Sequence, residues 1–242
     1  MAHIGGKRHL RRISAPKTWP IYRKGSYWVA RPITTGIPFE LCMPILLWLR
    51  DYLKLVKNKR ELRYILSKGS VEVNGKKVRD INYPVGLFDT MKIVDINKCY
   101  RVSVDPKGKL KLVEIPEDEY GKKVIRIIRK QNIKGGKTQI TGFDGRNFII
   151  NENNVKTEDS IFINLINGKI EKVIGMEPGM LVFFYKGNSA GRLGRIKEVK
   201  VLKKSFGHTR FIVYEDLETG ESRETLSEFA IVVGKDKPLI TL

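Results

Sequence analysis

From Met1 to Arg31 the chain carries no Asp or Glu, while Lys and Arg recur throughout. Like charges at this density repel, and Gly5, Gly6, Pro16 and Pro20 punctuate the stretch, so a packed helix or strand is not expected there. The segment reads as an extended basic arm. It is more than a solvated tail, because His9, Arg11, Arg12, Lys17, Trp19, Tyr22, Arg23, Lys24, Tyr27 and Trp28 interleave cations with rings. That alternation suits phosphate neutralisation combined with stacking on bases or riboses.

The whole chain extends the argument. Its 242 residues hold 46 Lys+Arg against 26 Asp+Glu, a formal charge of +20, which points to a polyanionic partner. Residues 1–42 carry 8 basic and 1 acidic side chains, 43–105 carry 13 and 7, 106–174 carry 14 and 9, and 175–242 carry 11 and 9. The polyanion is therefore expected mainly on the N-terminal half. With 41% hydrophobic residues the chain can still bury real cores, in two or three small modules.

Beyond Pro44 the period changes. Ile45, Leu49, Tyr52, Leu53 and Val56 recur at helical spacing and predict one amphipathic helix to about Val56. Asn58 is a candidate N-cap for a second, short helix with Leu62, Ile65 and Leu66 on its apolar stripe and Gly69 at its left-handed end. Lys59, Arg60 and Arg63 fall on its exposed positions. Val71 to Val78 then reads as a strand, an Asn74-Gly75 turn and a returning strand. Trp48 lies inside the apolar helix and is expected in the core. Residues 90–174 alternate short β-rich runs with turn dipeptides such as Asp144-Gly145 and Asn167-Gly168, a barrel or sandwich pattern. From Leu181 a further β module, spaced by Gly187, Gly191 and Gly194, resembles a small SH3-like barrel.

The pattern offers little for catalysis. His3, His9 and His208 have no second ligand at metal-binding spacing, and Cys42 and Cys99 form no CxxC pair, which fits a reducing compartment. Gly136-Lys137-Thr138 echoes the end of a Walker A loop, yet its first glycine would fall on Gln131 and strand-like sequence follows. No GxSxG elbow occurs, and Glu117-Asp118-Glu119 reads as a solvated acidic turn. The basic N-terminus lacks a secretory apolar region, and the longest apolar run, Leu41 to Leu49, is too short to span a bilayer. No enzyme, cofactor, metal, membrane or small-molecule substrate is expected.

His9-Leu10-Arg11-Arg12-Ile13-Ser14-Ala15-Pro16-Lys17-Thr18-Trp19-Pro20 resembles the N-terminal signature of small-subunit ribosomal protein four of the archaeal and eukaryotic type, the S4e family. Residues Arg50 to Asp80 are similar to a small helix-helix-hairpin RNA-binding domain found in pseudouridine synthases and bacterial ribosomal protein four. Tyr83-Pro84-Val85-Gly86-Leu87-Phe88-Asp89 matches the family's next block. Gly187 to Ile196 resembles a KOW element, and Gly234 to Leu242 the family's terminal segment. Their order, with the arm in front, is the specific signal.

The resemblance implies a mixed α+β, multi-module protein: a basic arm (1–42), a helix-hairpin RNA-binding domain (43–105), a central β domain (106–174) and a KOW-type SH3-like barrel with a C-terminal tail (175–242). It implies a cytoplasmic, structural constituent of the small ribosomal subunit that binds small-subunit rRNA beside neighbouring ribosomal proteins. The expected RNA-binding residues are Arg11, Arg12, Lys17, Trp19, Arg23 and Lys24 in the arm. Lys59, Arg60, Arg63 and Lys68 follow around the second helix, Lys76, Lys77 and Arg79 on the hairpin, and Arg192 with Arg195 near the C-terminus. The alternatives are an RNA-modifying enzyme, against which no catalytic-domain pattern follows the helix-hairpin module, and a KOW-containing transcription-elongation factor, against which the basic arm speaks.

Overall fold

The structure is a computed structural model that describes residues 9–133, 136–150, 155–203 and 208–242. At its N-terminal end β1 (Leu10–Arg11) pairs antiparallel with β2 (Trp28–Val29), and the intervening chain folds back instead of extending. This corrects the expectation of an extended arm without a packed strand. Leu10, Ala15, Trp19 and Val29 are buried in the main apolar cluster, and the Leu110 amide donates to the Thr18 carbonyl at 2.8 Å. Hydrophobic burial outweighs the repulsion because two cations are turned inward as donors. The Arg23 guanidinium donates to the carbonyls of Ile13 (2.8 Å), Ala15 (2.8 Å) and Pro16 (3.1 Å), and Arg12 donates to that of Tyr22 (2.9 Å).

β3 (Cys42–Pro44) leads into α1 (Ile45–Leu47), which runs on as a π-helical turn, Trp48–Tyr52. The helix expected to reach Val56 stops earlier. Residues 45–49 are buried all round, so the segment is a core plug with no solvated face to propagate along, and Lys54 turns the chain at φ 56°. Trp48 is fully buried and meets Tyr52 edge-on at 5.4 Å. α2 (Lys59–Lys68) follows, buries Leu62 and Leu66, and ends at Gly69 (φ 77°), whose amide donates to the Ile65 and Leu66 carbonyls. β4 (Val71–Val73) and β5 (Lys76–Lys77) form the hairpin, with Asn74 and Gly75 both at positive φ, as a type I′ turn requires.

β6 (Pro84–Gly86) pairs with β3, while β7 (Thr90–Ile93), β8 (Lys98–Val104) and β9 (Leu110–Ile115) complete an antiparallel sheet ordered β5-β4-β7-β8-β9. That sheet reaches Ile115, past the boundary expected at 105. A second sheet, ordered β12-β11-β10-β13-β14, uses β10 (Lys122–Asn132), β11 (Thr138–Gly142), β12 (Asn147–Ile150), β13 (Ser160–Asn164) and β14 (Lys169–Ile174). Thr138 opens a strand, so no helix follows Gly136-Lys137. The third is ordered β18-β17-β16-β15-β19, from β15 (Leu181–Phe184), β16 (Leu193–Lys203), β17 (His208–Asp216), β18 (Ser222–Leu226) and β19 (Ala230–Gly234). The molecule is thus mostly β with few helices.

All three sheets contribute to a main apolar core that runs from Leu10 to Ile240, and the third sheet closes a second cluster around Val182, Phe184, Ile212 and Tyr214. Polar joints fix their relative placement. Lys123 on β10 is fully buried and reaches Asp89 at 2.7 Å and Asp144 at 3.1 Å. Burial alone would lower its pKa, yet the two carboxylates outweigh that and hold the ammonium above its usual range. Asp89 also accepts from Asn74 in the hairpin turn (2.8 Å) and from the Gly86 amide (2.7 Å). At the other end, buried Arg101 on β8 donates to Glu119 (2.5 Å) and to the Thr241 carbonyl (3.1 Å), which anchors the C-terminal tail.

Candidate nucleic-acid interface

A site for a polyanion needs cations that the fold itself does not neutralise. α2 supplies them because its apolar stripe fixes which side faces out. With Leu62 and Leu66 inward, Lys59, Arg60, Arg63 and Lys68 are exposed, and the first three make no ion pair or hydrogen bond among the described residues. Glu61, the acidic residue of the helix, is occupied locally: its carboxylate accepts from the Lys57 amide at 2.8 Å ahead of the first turn. The Lys68 ammonium sits 4.3 Å from the centre of the Tyr64 ring, and the hydrogen bond to Tyr64 raises its pKa.

The hairpin continues this face. Lys76, Lys77 and Arg79 are exposed and unpaired among the described residues. Lys77 crosses the C-terminal end of α2, where a Cβ added to Gly69 would lie 3.2 Å from its Cδ. Helix and hairpin cations therefore meet at one edge, with the hairpin turn held to the core through Asn74 and Asp89. Sequence reasoning missed Tyr64, 61% exposed among these cations. Its position four residues after Arg60 on the outer face was the available signal.

In the N-terminal segment the expected residues separate into two groups. Arg12 and Arg23 are committed to backbone carbonyls, as described above. Trp19 is 1% exposed and packs against Phe39 with ring centres 5.5 Å apart, so it cannot stack on a base; this corrects its place among the expected contacts. Arg11, Lys17 and Lys24 remain at the surface. Arg11 lies 5.3 Å from the centre of the Tyr27 ring, Tyr27 meets Trp28 edge-on at 4.7 Å, and His9 lies 5.3 Å from Trp28. A cleft of about 460 Å³ opens beside them, lined by Arg11, Ile13, Lys24 and Tyr27 among others.

Near the C-terminus Arg192 is half-buried and donates to the fully buried Asp216 at 2.8 Å. The pairing has a plain cause: Asp216 lies on β17 directly across from Gly194, so a buried carboxylate claims the guanidinium. Arg195 is more exposed, with a long 3.9 Å approach to Asp236. The loop resembling a KOW element packs inward, since a Cβ on Gly191 would come within 2.4 Å of the Asp105 backbone. Among the described residues no helix is long and apolar enough to cross a membrane, and no group of His, Cys, Asp and Glu is placed to hold a metal ion.

The chain matches known proteins along most of its length. The model of the ribosomal family S4e matches residues 96–170, and that of the RS4NT (NUC023) domain matches residues 4–34. Small ribosomal subunit protein eS4 of Nanoarchaeum equitans is 44% identical over 194 residues, covering 80% of this chain and 82% of the relative. The eS4 protein of Methanosphaera stadtmanae is 38% identical over 242 residues, 100% of this chain and 98% of its own. The crystal structure of 30S ribosomal protein S4e from Thermoplasma acidophilum superposes with a TM-score of 0.67 at 26% identity, covering 81% of this chain and 96% of that one. Matches that run through both ends of the chain, at this identity and over nearly full length, establish that it belongs to the S4e family of ribosomal proteins.

Proposed function

We propose that the protein is a structural constituent of the small ribosomal subunit that holds small-subunit rRNA, in the cytoplasm, among neighbouring ribosomal proteins. Lys59, Arg60, Arg63, Lys68, Lys76, Lys77 and Arg79 form its main phosphate-binding face, with Arg11, Lys17 and Lys24 on the N-terminal segment as a second contact and Arg195 as an outlying one. The α2-hairpin unit acts as the helix-hairpin RNA-binding domain, and the β15–β19 sheet with its Gly187–Gly191 loop as the KOW-type barrel. The observation that carries this reading is the set of unpaired cations on the outer side of α2, opposite a fully buried Leu62 and Leu66. Titrating full-length protein with small-subunit rRNA across a salt series tests it. Log K is expected to fall with log salt by about 0.7–0.9 for each phosphate contact; a flat response overturns the reading.

A further inference from the structure

We infer that the surface formed by β1, β2 and the turn before β2 binds unpaired nucleotides of RNA, with Tyr22, Tyr27 and Trp28 as stacking platforms. The inference rests on the RNA-binding reading above and names which form of RNA this surface selects. Tyr22 is 86% exposed, Tyr27 58% and Trp28 52%, and Ile13 beside them is exposed as well. Apolar surface left bare at this density marks a binding site. Trp28 stands on the two-stranded ladder, while the Tyr27 and Tyr22 carbonyls accept from the Arg12 amide (3.0 Å) and guanidinium (2.9 Å), so the backbone that carries the rings is pre-ordered.

Charge selects the partner. Arg11 lies over the Tyr27 ring, Lys24 lines the same cleft, and no acidic residue occurs anywhere from Met1 to Arg31. A ligand that is both polyanionic and rich in flat apolar faces fits, and unpaired nucleotides are that ligand. Paired bases keep their faces inside the stack, so a duplex offers this surface phosphates alone. The adjoining cleft, about 460 Å³, falls in the range of roughly 300–1,000 Å³ that small-ligand sites occupy. The α2 face differs in offering a single exposed ring, Tyr64, where this surface offers three.

Tryptophan emission gives the test a local reporter, because Trp19 and Trp48 are buried and Trp28 is exposed. Full-length protein is titrated with a short single-stranded RNA, with the blunt duplex of the same length, and with polyglutamate as a polyanion that lacks bases. The single strand is expected to quench Trp28, the duplex to bind without quenching, and polyglutamate to leave the emission unchanged. Tyr22→Ala and Tyr27→Ala, folded by circular dichroism, should each weaken single-strand binding about 5- to 150-fold, the loss of one stacked base, while duplex affinity stays within about twofold. Trp28→Phe should abolish the quenching yet retain single-strand binding. Equal quenching by duplex or polyglutamate, or tyrosine variants that bind the single strand as wild type does, overturns the inference and leaves RNA binding standing. Failure of wild type to bind either RNA overturns both.

Discussion

The N-terminal segment and α2 carry cations at similar density, and the fold uses them in opposite ways. In the segment between β1 and β2 the chain has few regular backbone partners, so Arg12 and Arg23 turn inward and donate to the carbonyls of Tyr22, Ile13, Ala15 and Pro16. In α2 the helix satisfies its own carbonyls, and Lys59, Arg60 and Arg63 are left for solvent or for a partner. A basic residue is therefore available for RNA only where the backbone around it is already bonded. Net charge counts both kinds alike.

The comparison breaks first at Lys123, the most deeply committed cation. Lys123→Met leaves Asp89 and Asp144 as buried carboxylates without their ammonium, and loss of one partner of a buried ion pair costs about 3–5 kcal/mol. A denaturant midpoint shifted by that amount is expected; a shift below about 1 kcal/mol would show that the two carboxylates find other partners. Because Asp89 also holds Asn74, the variant should disorder the hairpin turn before the helix.

A smaller effect separates two arginines twelve residues apart. Arg23→Gln removes a guanidinium bonded to three carbonyls and should cost about 1.5–3 kcal/mol, the range for a charge-assisted hydrogen bond whose acceptors are only partly re-solvated. Arg11→Gln, at the surface over Tyr27, should stay within about 0.5 kcal/mol. Equal midpoints for the two variants would refute the division between inward and outward cations.

Acid sharpens the same point at the C-terminal tail. Burial would raise the Glu119 carboxyl, but the Thr241 amide and hydroxyl and the Arg101 guanidinium outweigh it and hold the pKa below its ordinary 4.5. A folded-state pKa below the unfolded one contributes stability that is present above pH 4.5 and lost as pH falls through the folded value. Glu119→Gln should flatten the pH dependence of unfolding in that acid window, and hydrogen exchange at Thr241 should rise in the variant.

Local signals carried much of the α2-hairpin region into the sequence. Gly69 and the Asn74-Gly75 pair set their turns through positive φ within one turn of chain, whereas Asn58 takes the N-cap position without a side-chain cap hydrogen bond. The N-terminal segment was illegible for the opposite reason: Trp19 is buried only because Phe39 and the start of β9 close over it. Arg192 shows the same limit, since Asp216 becomes its neighbour through the pairing of β16 with β17. The resemblance likewise implied a mixed α+β protein, whereas residues 45–52 form a short plug and the chain is mostly β.

The smallest effect on stability comes with the largest expected effect on binding. Replacing Lys59, Arg60 and Arg63 with Gln removes three exposed side chains that make no ion pair or hydrogen bond among the described residues, so each should change stability by no more than about 0.5 kcal/mol. Gln keeps helix propensity close to that of Lys and Arg, so α2 should persist. If these cations hold phosphates, the salt slope of rRNA binding falls by up to about one unit for each lost contact, and affinity falls with it. Leu62→Ala supplies the reciprocal case on the same helix, costing about 2–5 kcal/mol through the cavity it leaves while the cations stay in place. A folded triple variant with unchanged slope would make the outer side of α2 an ordinary solvated face, and would move the phosphate contacts to Lys76, Lys77 and Arg79 on the hairpin.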